Sequence, residues 1–316
     1  MRLSGPRATY NPAMKRTLGP IAVLALVLPF LTASCSGSPK AVPDSGKTIG
    51  VTLLTRGHLF YRDLEQGMND EAAKAGYHLI VTSAEFDLGK QAGQIEDFIA
   101  RKVDAIVVCP VDSRGVGPAI AKANAAGIPV FTADIAAQEG DITCHVASDN
   151  VAGGRLAGEF LAKTLGGKGE VAIVSQPSIT SVLDRVSGFK DAIARFPEMT
   201  IVAEVNGQGV RDRSLEAAAD AMQAHPNLAG LFGINDDSAL GALDAARQLN
   251  RPAIAIVGYD GTPPAVDAIR KGTQLKADVV QFPKKIGSTT IERIRDHFEG
   301  KAVPKSVPVE VGIVDK

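Results

Sequence analysis

Short apolar runs alternate with amphipathic helical segments over most of the chain, and this alternation limits the fold more than any other feature. In the first half, strands are predicted at 48–54, 78–82, 105–108, 128–132 and 142–147, with helices at 60–75, 89–101 and 116–126 between them. Continuous apolar strands that end at Gly or Pro are typical of a parallel sheet covered by helices on both faces.

The second half repeats this plan after a seam at the end of the strand 142–147. Ser148, Asp149 and Asn150 follow that strand, and such residues cap helix N-termini. Strands are predicted at 170–174, 200–205, 230–233, 253–257 and 275–279, helices at 150–165, 181–195, 212–224, 237–248, 263–271 and 283–299, and a last extended segment at 307–314. The chain of 316 residues is therefore predicted to be an α/β protein with two doubly wound, Rossmann-like parallel-sheet lobes.

Residues 1–34 have the layout of a lipoprotein signal peptide. Lys15 and Arg16 precede an apolar run at 21–31 that is short for a membrane span. The sequence Leu31-Thr-Ala-Ser-Cys35 resembles a bacterial lipobox, so Cys35 is expected to become a lipid-modified N-terminus and the only membrane attachment. Ordinary secretory cleavage with an incidental cysteine is the alternative. Residues 35–46, rich in Ser, Gly and Pro, are expected to form a flexible tether.

The charges and motifs exclude several classes of function. Basic and acidic residues nearly balance, with a formal net charge of −1, which argues against binding nucleic acid by electrostatics. No HExxH, GxSxG, Walker or GxGxxG motif is found in the sequence. We therefore predict a protein that is not an enzyme and that uses no metal or cofactor.

Two cysteines, Cys109 and Cys144, fall at predicted strands of the first lobe. Export would permit a disulfide bond between them. The predicted strand 128–132 is expected to lie between their two strands and to hold them too far apart for a bond. Both are therefore expected to be buried free thiols.

Polar and aromatic side chains follow the carboxyl ends of the predicted strands in both lobes, where ligands of doubly wound sheets bind. Planar polar groups can each take two hydroxyls, and aromatic rings cover the apolar faces of a sugar. A polyhydroxylated ligand between the lobes is therefore predicted. Each residue alone is a weak signal, because Asn or Asp after a strand usually caps the next helix. The residues are His58, Phe60, Tyr61, Asp112, Ser113, Asp134, Asp184, Arg185, Asn235, Asp236, Asp237, Tyr259, Asp260, Thr262 and Gln281.

From Lys47 to Lys316 the sequence resembles the bacterial periplasmic sugar-binding proteins of the ribose-binding type, which serve ABC transporters. The segments that carry the resemblance are Pro110-Val-Asp-Ser113, Gly127-Ile-Pro-Val130, His145-Val-Ala-Ser-Asp-Asn150, Asp184-Arg185 with Gly188-Phe189, Asn235-Asp236 with Ala239-Leu-Gly-Ala242, and Val257-Gly-Tyr-Asp-Gly-Thr-Pro263. The resemblance implies the type I periplasmic binding protein fold, with two lobes joined by a hinge. It implies a first lobe of 47–148 plus about 282–309, and a second lobe of 149–281 plus about 310–316.

The resemblance also implies individual ligand contacts. The stacking aromatics fall on Phe60 and Tyr61, and the hydroxyl-binding Asp of the first lobe falls on Asp134. The remaining contacts fall on Arg185, Asn235, Tyr259, Asp260 and Gln281, and His58 is the ninth predicted contact.

This sequence departs from the ribose-binding pattern at several positions. His58 and Cys109 stand where ribose binders have Asn, and Ile135 replaces an Arg. The loop 206–210 lacks an aromatic that is often present. A monosaccharide or polyol is therefore implied, whereas ribose itself is not. His58 and Asp134 are expected to form an oriented hydrogen-bonded pair rather than a catalytic one.

The resemblance implies a monomer that closes on its ligand by a hinge motion and docks on the membrane permease of an ABC transporter. The repressor proteins that share this fold need an N-terminal helix-turn-helix, and the exported leader occupies that place. A component that presents its ligand to a chemoreceptor or sensor kinase, or that captures a furanosyl signalling molecule, remains an alternative.

Overall fold

The structure is a computed structural model that describes residues 45–316, and two six-stranded sheets organise them. The predicted signal peptide, Cys35 and nearly all of the predicted tether lie outside the described residues. Within the described part of the chain, no helix is long and apolar enough to cross a membrane.

The first sheet has the strand order β11-β5-β4-β3-β1-β2, and all of its strands are parallel. We call this sheet and its helices the first lobe. Its elements are β1 (Thr48–Leu53), α1 (Leu59–Ala75), β2 (His78–Ser83), α2 (Leu88–Ala100), β3 (Ala105–Val108), α3 (Gly117–Ala125), β4 (Val130–Ala133), β5 (Cys144–Ser148), α9 (Pro283–Phe298) and β11 (Ser306–Val309).

The second sheet repeats this arrangement with the order β12-β10-β9-β8-β6-β7. We call it and its helices the second lobe. Its elements are α4 (Asn150–Thr164), β6 (Lys168–Ser175), α5 (Thr180–Ile193), β7 (Glu198–Asn206), α6 (Arg211–Ala224), β8 (Leu228–Gly233), α7 (Asp236–Gln248), β9 (Ala255–Asp260), α8 (Pro263–Arg270), β10 (Leu275–Val280) and β12 (Gly312–Asp315).

The C-terminal segment differs from the prediction of one extended piece at 307–314. It forms two strands, because the chain leaves the edge of the first sheet after Val309 and joins the edge of the second at Gly312. β12 runs antiparallel to β10, so the second sheet is not wholly parallel. The predicted fold class, two doubly wound α/β lobes, is confirmed.

The strand order reverses on either side of β1 in the first sheet and of β6 in the second. In a doubly wound sheet such a reversal leaves a crevice at the carboxyl ends of the strands. The central strands are buried on both faces, as in β3, where every residue from Ala105 to Val108 is inaccessible to solvent. Two-sided burial explains why these strands are continuous apolar runs rather than alternating ones.

Helices α4 and α5 of the second lobe pack with their backbones in close contact. A Cβ atom at Gly154 would overlap the backbone carbonyl of Arg185, and one at Gly188 would overlap that of Val151. Only glycine permits this approach. The crossing therefore fixes the position of α5, which carries Arg185 into the space between the lobes.

Cys109 and Cys144 are buried free thiols, as predicted. β4 lies between β3 and β5, the strands next to which they stand. Burial raises the pKa of the Cys109 thiol well above its ordinary value, so this thiol stays protonated.

Candidate functional site

A cleft that is partly open to solvent lies between the carboxyl ends of the two sheets. Eight of the nine predicted contact residues line it, and Tyr259 is fully buried behind them. The lining residues are Leu54, His58, Phe60, Tyr61, Asp134, Ile135, Gln176, Ile179, Ser181, Val182, Arg185, Ile234, Asn235, Asp260 and Gln281.

Asp134 is the acidic group of the first lobe. It follows β4 with a φ of 67°, a left-handed conformation that Asp tolerates better than most residues. Its Oδ2 accepts a hydrogen bond of 2.6 Å from the Tyr61 hydroxyl, while its buried Oδ1 has no partner within the described chain. Burial raises the pKa of Asp134, and the Arg185 guanidinium partly opposes that shift. The first lobe thus presents an unused acceptor to the cleft.

Arg185 is the centre of the second lobe's part of the site. Its Nε donates to Asn150 Oδ1 at 2.8 Å and its Nη1 to the Ile234 carbonyl at 2.7 Å. Its Cζ lies 4.0 Å from the centre of the Tyr259 ring, close enough for a cation–π contact. The Tyr259 hydroxyl also donates to Asn150 Oδ1, at 3.3 Å. Tyr259 therefore holds Arg185 from behind instead of lining the cleft.

Asp260 and Gln281 form a second acceptor group at the ends of β9 and β10. Gln281 Nε2 donates to Asp260 Oδ1 at 2.7 Å, and the buried Gln281 Oε1 has no partner among the described residues. Burial raises the pKa of Asp260 well above its ordinary value, against the opposing charge of Arg185, whose Nη1 lies 3.9 Å from Asp260 Oδ1. The φ of Asp260 is 129°, which L-residues rarely adopt. Backbone strain thus occurs at the cleft carboxylate of each lobe.

Asn235 both lines the cleft and caps a helix. Its Oδ1 accepts from the Ser238 N–H at 2.9 Å at the start of α7, and its Nδ2 donates to the Gly209 carbonyl at 3.0 Å. The common structural role of an Asn after a strand is therefore present here. One amide hydrogen remains for a ligand.

His58 does not pair with Asp134, and the prediction of that pair is wrong. Its Nε2 lies 3.3 Å from Oδ2 of Asp237, which belongs to the second lobe. The Tyr61 hydroxyl occupies the side of Asp134 that His58 was expected to take. Burial lowers the pKa of His58, although Asp237 opposes this shift.

Aromatic rings form one wall of the cleft in the first lobe. Phe60 and Tyr61 meet edge to face with ring centres 5.2 Å apart, and His58 meets Phe86 in the same way at 5.4 Å. Apolar rings and C–H faces of a sugar are complementary surfaces. This wall thus favours a ligand with one apolar face.

Behind the cleft, Asp236 and Asp278 form a buried carboxyl pair. Asp236 Oδ2 accepts from the Thr262 N–H at 2.7 Å. Asp278 is inaccessible to solvent beside Asp236, and neither of its carboxyl oxygens has a hydrogen-bond partner among the described residues. Burial, with the charge of Asp236 beside it, raises the pKa of Asp278 well above its ordinary value. A proton on one of the two carboxyls removes the repulsion between them.

Sequence reasoning missed Gln176 and Ser181 among the polar lining residues. Gln176 directly follows β6. The search for polar residues at the carboxyl ends of strands, which found Asp134, could therefore also have found Gln176. Ser181 lies in the first turn of α5, one helical turn before Arg185. Among the described residues, no cluster of His, Cys, Asp or Glu has the geometry to hold a metal ion.

Residues 49–302 match the family described as the periplasmic binding protein domain. The chain belongs to this family. The ribose import binding protein of Bacillus subtilis is 35% identical over 302 residues, which are 93% of this chain and 97% of that protein. The xylitol-binding protein of Mycolicibacterium smegmatis is 32% identical over 257 residues, 81% of this chain and 73% of that protein.

A solved periplasmic binding protein has the same fold. It is the ABC transporter solute-binding protein of Actinobacillus succinogenes with bound D-allose, with a TM-score of 0.78 and 30% identity over 85% of this chain and 98% of that one. Members of the family with these names are binding proteins rather than enzymes.

Proposed function

We propose that this periplasmic binding protein captures a monosaccharide or polyol between its two lobes and delivers it to the permease of an ABC importer. Two buried acceptors without partners carry the proposal, Asp134 Oδ1 in the first lobe and Gln281 Oε1 in the second. A buried acceptor without a donor costs about 1–3 kcal/mol. A ligand with several hydroxyl groups removes this cost in both lobes at once.

Each part of the cleft has a role in this capture. Asp134 and Asp260 accept hydroxyl protons, Arg185 donates to ligand oxygens, and Phe60 and Tyr61 cover an apolar face. Because these groups come from both lobes, a bound ligand stabilises the closed arrangement through contacts that the open one lacks. Relatives named for ribose and xylitol, and one with bound D-allose, support this class of ligand.

Ile135 lies in the cleft where the ribose-binding pattern has an arginine. An isoleucine there cannot donate to a ring or hydroxyl oxygen, so the ligand loses one strong contact in the first lobe. His58, with a lowered pKa, is a neutral ring that offers one nitrogen as donor or acceptor. We expect the ligand to differ from ribose for this reason.

A thermal-shift screen of the purified protein tests the proposal. The probes are D-ribose, D-allose, xylitol, glycerol and myo-inositol. A ligand at a hundred times its Kd stabilises a protein by about 2.7 kcal/mol. We expect at least one clear shift in the wild type and none for the same probe in Asp134→Ala. A flat response to all probes, or an equal shift in the variant, would contradict the proposal.

We also propose that the exported protein is anchored by a lipid on Cys35. The support is the sequence Leu31-Thr-Ala-Ser-Cys35. Replacing Cys35 with Ala should move the protein from the membrane fraction to the soluble envelope fraction, with ligand binding unchanged. A wild-type protein that is soluble from the start, or a variant that stays in the membrane, would rule the anchor out.

A further inference from the structure

Five hydrogen bonds join the two lobes at a place beside the ligand cleft. Thr180 N donates to Ser113 Oγ at 3.0 Å, Ser113 Oγ to Thr180 Oγ1 at 3.3 Å, and Ser113 N to the Ser178 carbonyl at 3.1 Å. Thr180 Oγ1 accepts from Ala136 N at 3.1 Å and donates to the Ala136 carbonyl at 3.0 Å. The Thr180 hydroxyl thus accepts two hydrogen bonds, from Ser113 Oγ and Ala136 N, and donates its one proton to the Ala136 carbonyl, so all five bonds can form at once.

We infer that these residues form a latch that sets ligand affinity by holding the lobes closed, without contact to the ligand. The latch consists of Ser113 and Ala136 in the first lobe and Ser178 and Thr180 in the second. None of the four lines the ligand cleft. The inference rests on the proposed function, because it concerns the closure that accompanies capture.

The hydrogen bonds among the cleft residues, in contrast, stay within single lobes. Tyr61 bonds Asp134 in the first lobe, and in the second Arg185 bonds Asn150 and Gln281 bonds Asp260. In the cleft, the lobes meet through the contact of His58 Nε2 with Asp237 Oδ2 at 3.3 Å. Among the polar contacts of the latch and the cleft, those that join the lobes without a ligand therefore lie mostly in the latch.

The sequence holds the first-lobe half of the latch in place. After β3 the chain turns at Asp112, whose Oδ1 accepts from Arg114 N at 3.0 Å and Gly115 N at 2.6 Å. The Ser113 carbonyl accepts from Gln138 N at 2.7 Å, which joins the loops after β3 and β4. Ser113 and Ala136 therefore approach the second lobe as one preformed surface.

The second-lobe half of the latch is the N-terminus of α5. Thr180 is the first residue of this helix, and Arg185 lies on it five residues later. Seating Thr180 on the first lobe therefore also sets how closely Arg185 approaches Asp134. The apparent Kd of a protein that must close equals its intrinsic Kd divided by the closed fraction. A weaker latch should consequently raise the apparent Kd of every ligand by the same factor.

The experiment compares Thr180→Val, which keeps the branched shape but loses the hydroxyl, with Thr180→Ser, which keeps the hydroxyl. Thr164→Val is the matched control, because the Thr164 hydroxyl only bonds back to Phe160 in α4. Affinities are measured by calorimetry for D-ribose, D-allose and xylitol. Exchange of the Ala136 amide hydrogen, which Thr180 Oγ1 accepts, is measured without any sugar.

We expect Thr180→Val to weaken the binding of every probe that the wild type binds by an equal factor of at least about ten, since the three hydrogen bonds of the Thr180 hydroxyl are lost. Its Ala136 amide should exchange faster than in the wild type. Thr180→Ser and Thr164→Val should match the wild type. Ser113→Ala, which cuts the latch from the other lobe, should reproduce the loss if Thr180→Val does not fold.

Unchanged affinity and unchanged Ala136 exchange in folded Thr180→Val would overturn the latch. Unequal losses among the probes would overturn it as well, because they would indicate direct contact with the ligand. If no probe binds the wild type, the proposed function fails for these ligands, while the amide exchange still decides whether the latch exists.

Discussion

The two lobes contribute to the cleft in different ways. The first lobe offers an aromatic wall and Asp134. The Asp134 carboxyl accepts one hydrogen bond, from Tyr61, and its other oxygen has no hydrogen-bond partner among the described residues. In the second lobe Arg185 is already bonded to Asn150 and Ile234 and packed on Tyr259. The difference teaches that Arg185 is bonded into the second lobe's folded core, whereas Asp134 in the first lobe keeps one oxygen that no other described residue uses. Changes in the second lobe should therefore affect stability and binding together.

The largest effect is expected from Arg185→Met. Removing one partner of a buried ion pair leaves an uncompensated charge and typically costs about 3–5 kcal/mol. The free energy of unfolding, measured in urea, should fall by about this amount, and ligand binding should be lost. Arg195→Met is the control, since its pair with Glu159 is exposed and should contribute about 0–1 kcal/mol. If the free energy of unfolding fell no more in Arg185→Met than in Arg195→Met, Arg185 would contribute no more to stability than an exposed residue, and the contrast between the two lobes would be wrong.

Asp134→Asn should separate binding from stability in the first lobe. Asn keeps the left-handed backbone and still accepts from Tyr61, but it lacks the charge that ligand hydroxyls use. Binding should weaken by about 1.5–3 kcal/mol, the value of a hydrogen bond to a charged group. The free energy of unfolding should stay the same or rise, because the buried charge is unfavourable. Asp141→Asn, at an exposed position, is the control. A lower free energy of unfolding in Asp134→Asn but not in Asp141→Asn would show that Asp134 also stabilises the fold, contrary to the contrast between the lobes.

The carboxyl pair behind the second lobe's site predicts a dependence on pH. The pKa of Asp278 is raised above its ordinary value of 3.8, so the proton stabilises the folded state below pH 3.8. This stabilisation is lost as the pH rises through the folded-state pKa. Asp278→Asn carries a permanent donor to Asp236, so its free energy of unfolding should exceed the wild type's by about 1 kcal/mol at neutral pH.

Urea unfolding of both proteins between pH 4 and pH 8 measures this effect. The difference between wild type and Asp278→Asn should grow as the pH rises. A constant difference would show that Asp278 does not hold a proton in the folded protein.

The smallest effect is expected from Tyr61→Phe. The ring and its edge-to-face contact with Phe60 remain, but the hydroxyl that orients Asp134 is removed. Binding should weaken by about 1 kcal/mol, the net value of one hydrogen bond. Calorimetry with the best probe from the ligand screen measures the change. A loss of affinity as large as that of Asp134→Asn would mean that the first lobe's part in binding depends more on the orientation of Asp134 than on its charge.

Much of the fold could be predicted because the central strands of both sheets are buried and parallel. The run 105–108, for example, is a strand with the same bounds in the structure. The antiparallel β12 could not be predicted, since its direction depends on which sheet edge receives it. The polar residues after the strands could be found, and the structure brings eight of the nine into one cleft.

Other features of the site depend on contacts between distant segments. The partner of His58 is Asp237, 179 positions away, and no local pattern indicates that pair. Positive φ at Asp134 and Asp260 likewise has no signature in the residues beside them. Asp278 lies opposite Gly258 where β10 pairs with β9, and its complete burial cannot be read from a strand that also contains Lys276.

The C-terminal strands have a consequence for how the molecule forms. β11 completes an edge of the first sheet beside β5, more than 150 positions earlier in the chain, and β12 completes an edge of the second. Contacts this distant in sequence slow folding, because a long loop must close before they form. Neither sheet can be finished until residues 306–315 have left the ribosome. A chain that cannot complete its fold early stays unfolded longer, which suits a protein that must be threaded across a membrane before it folds.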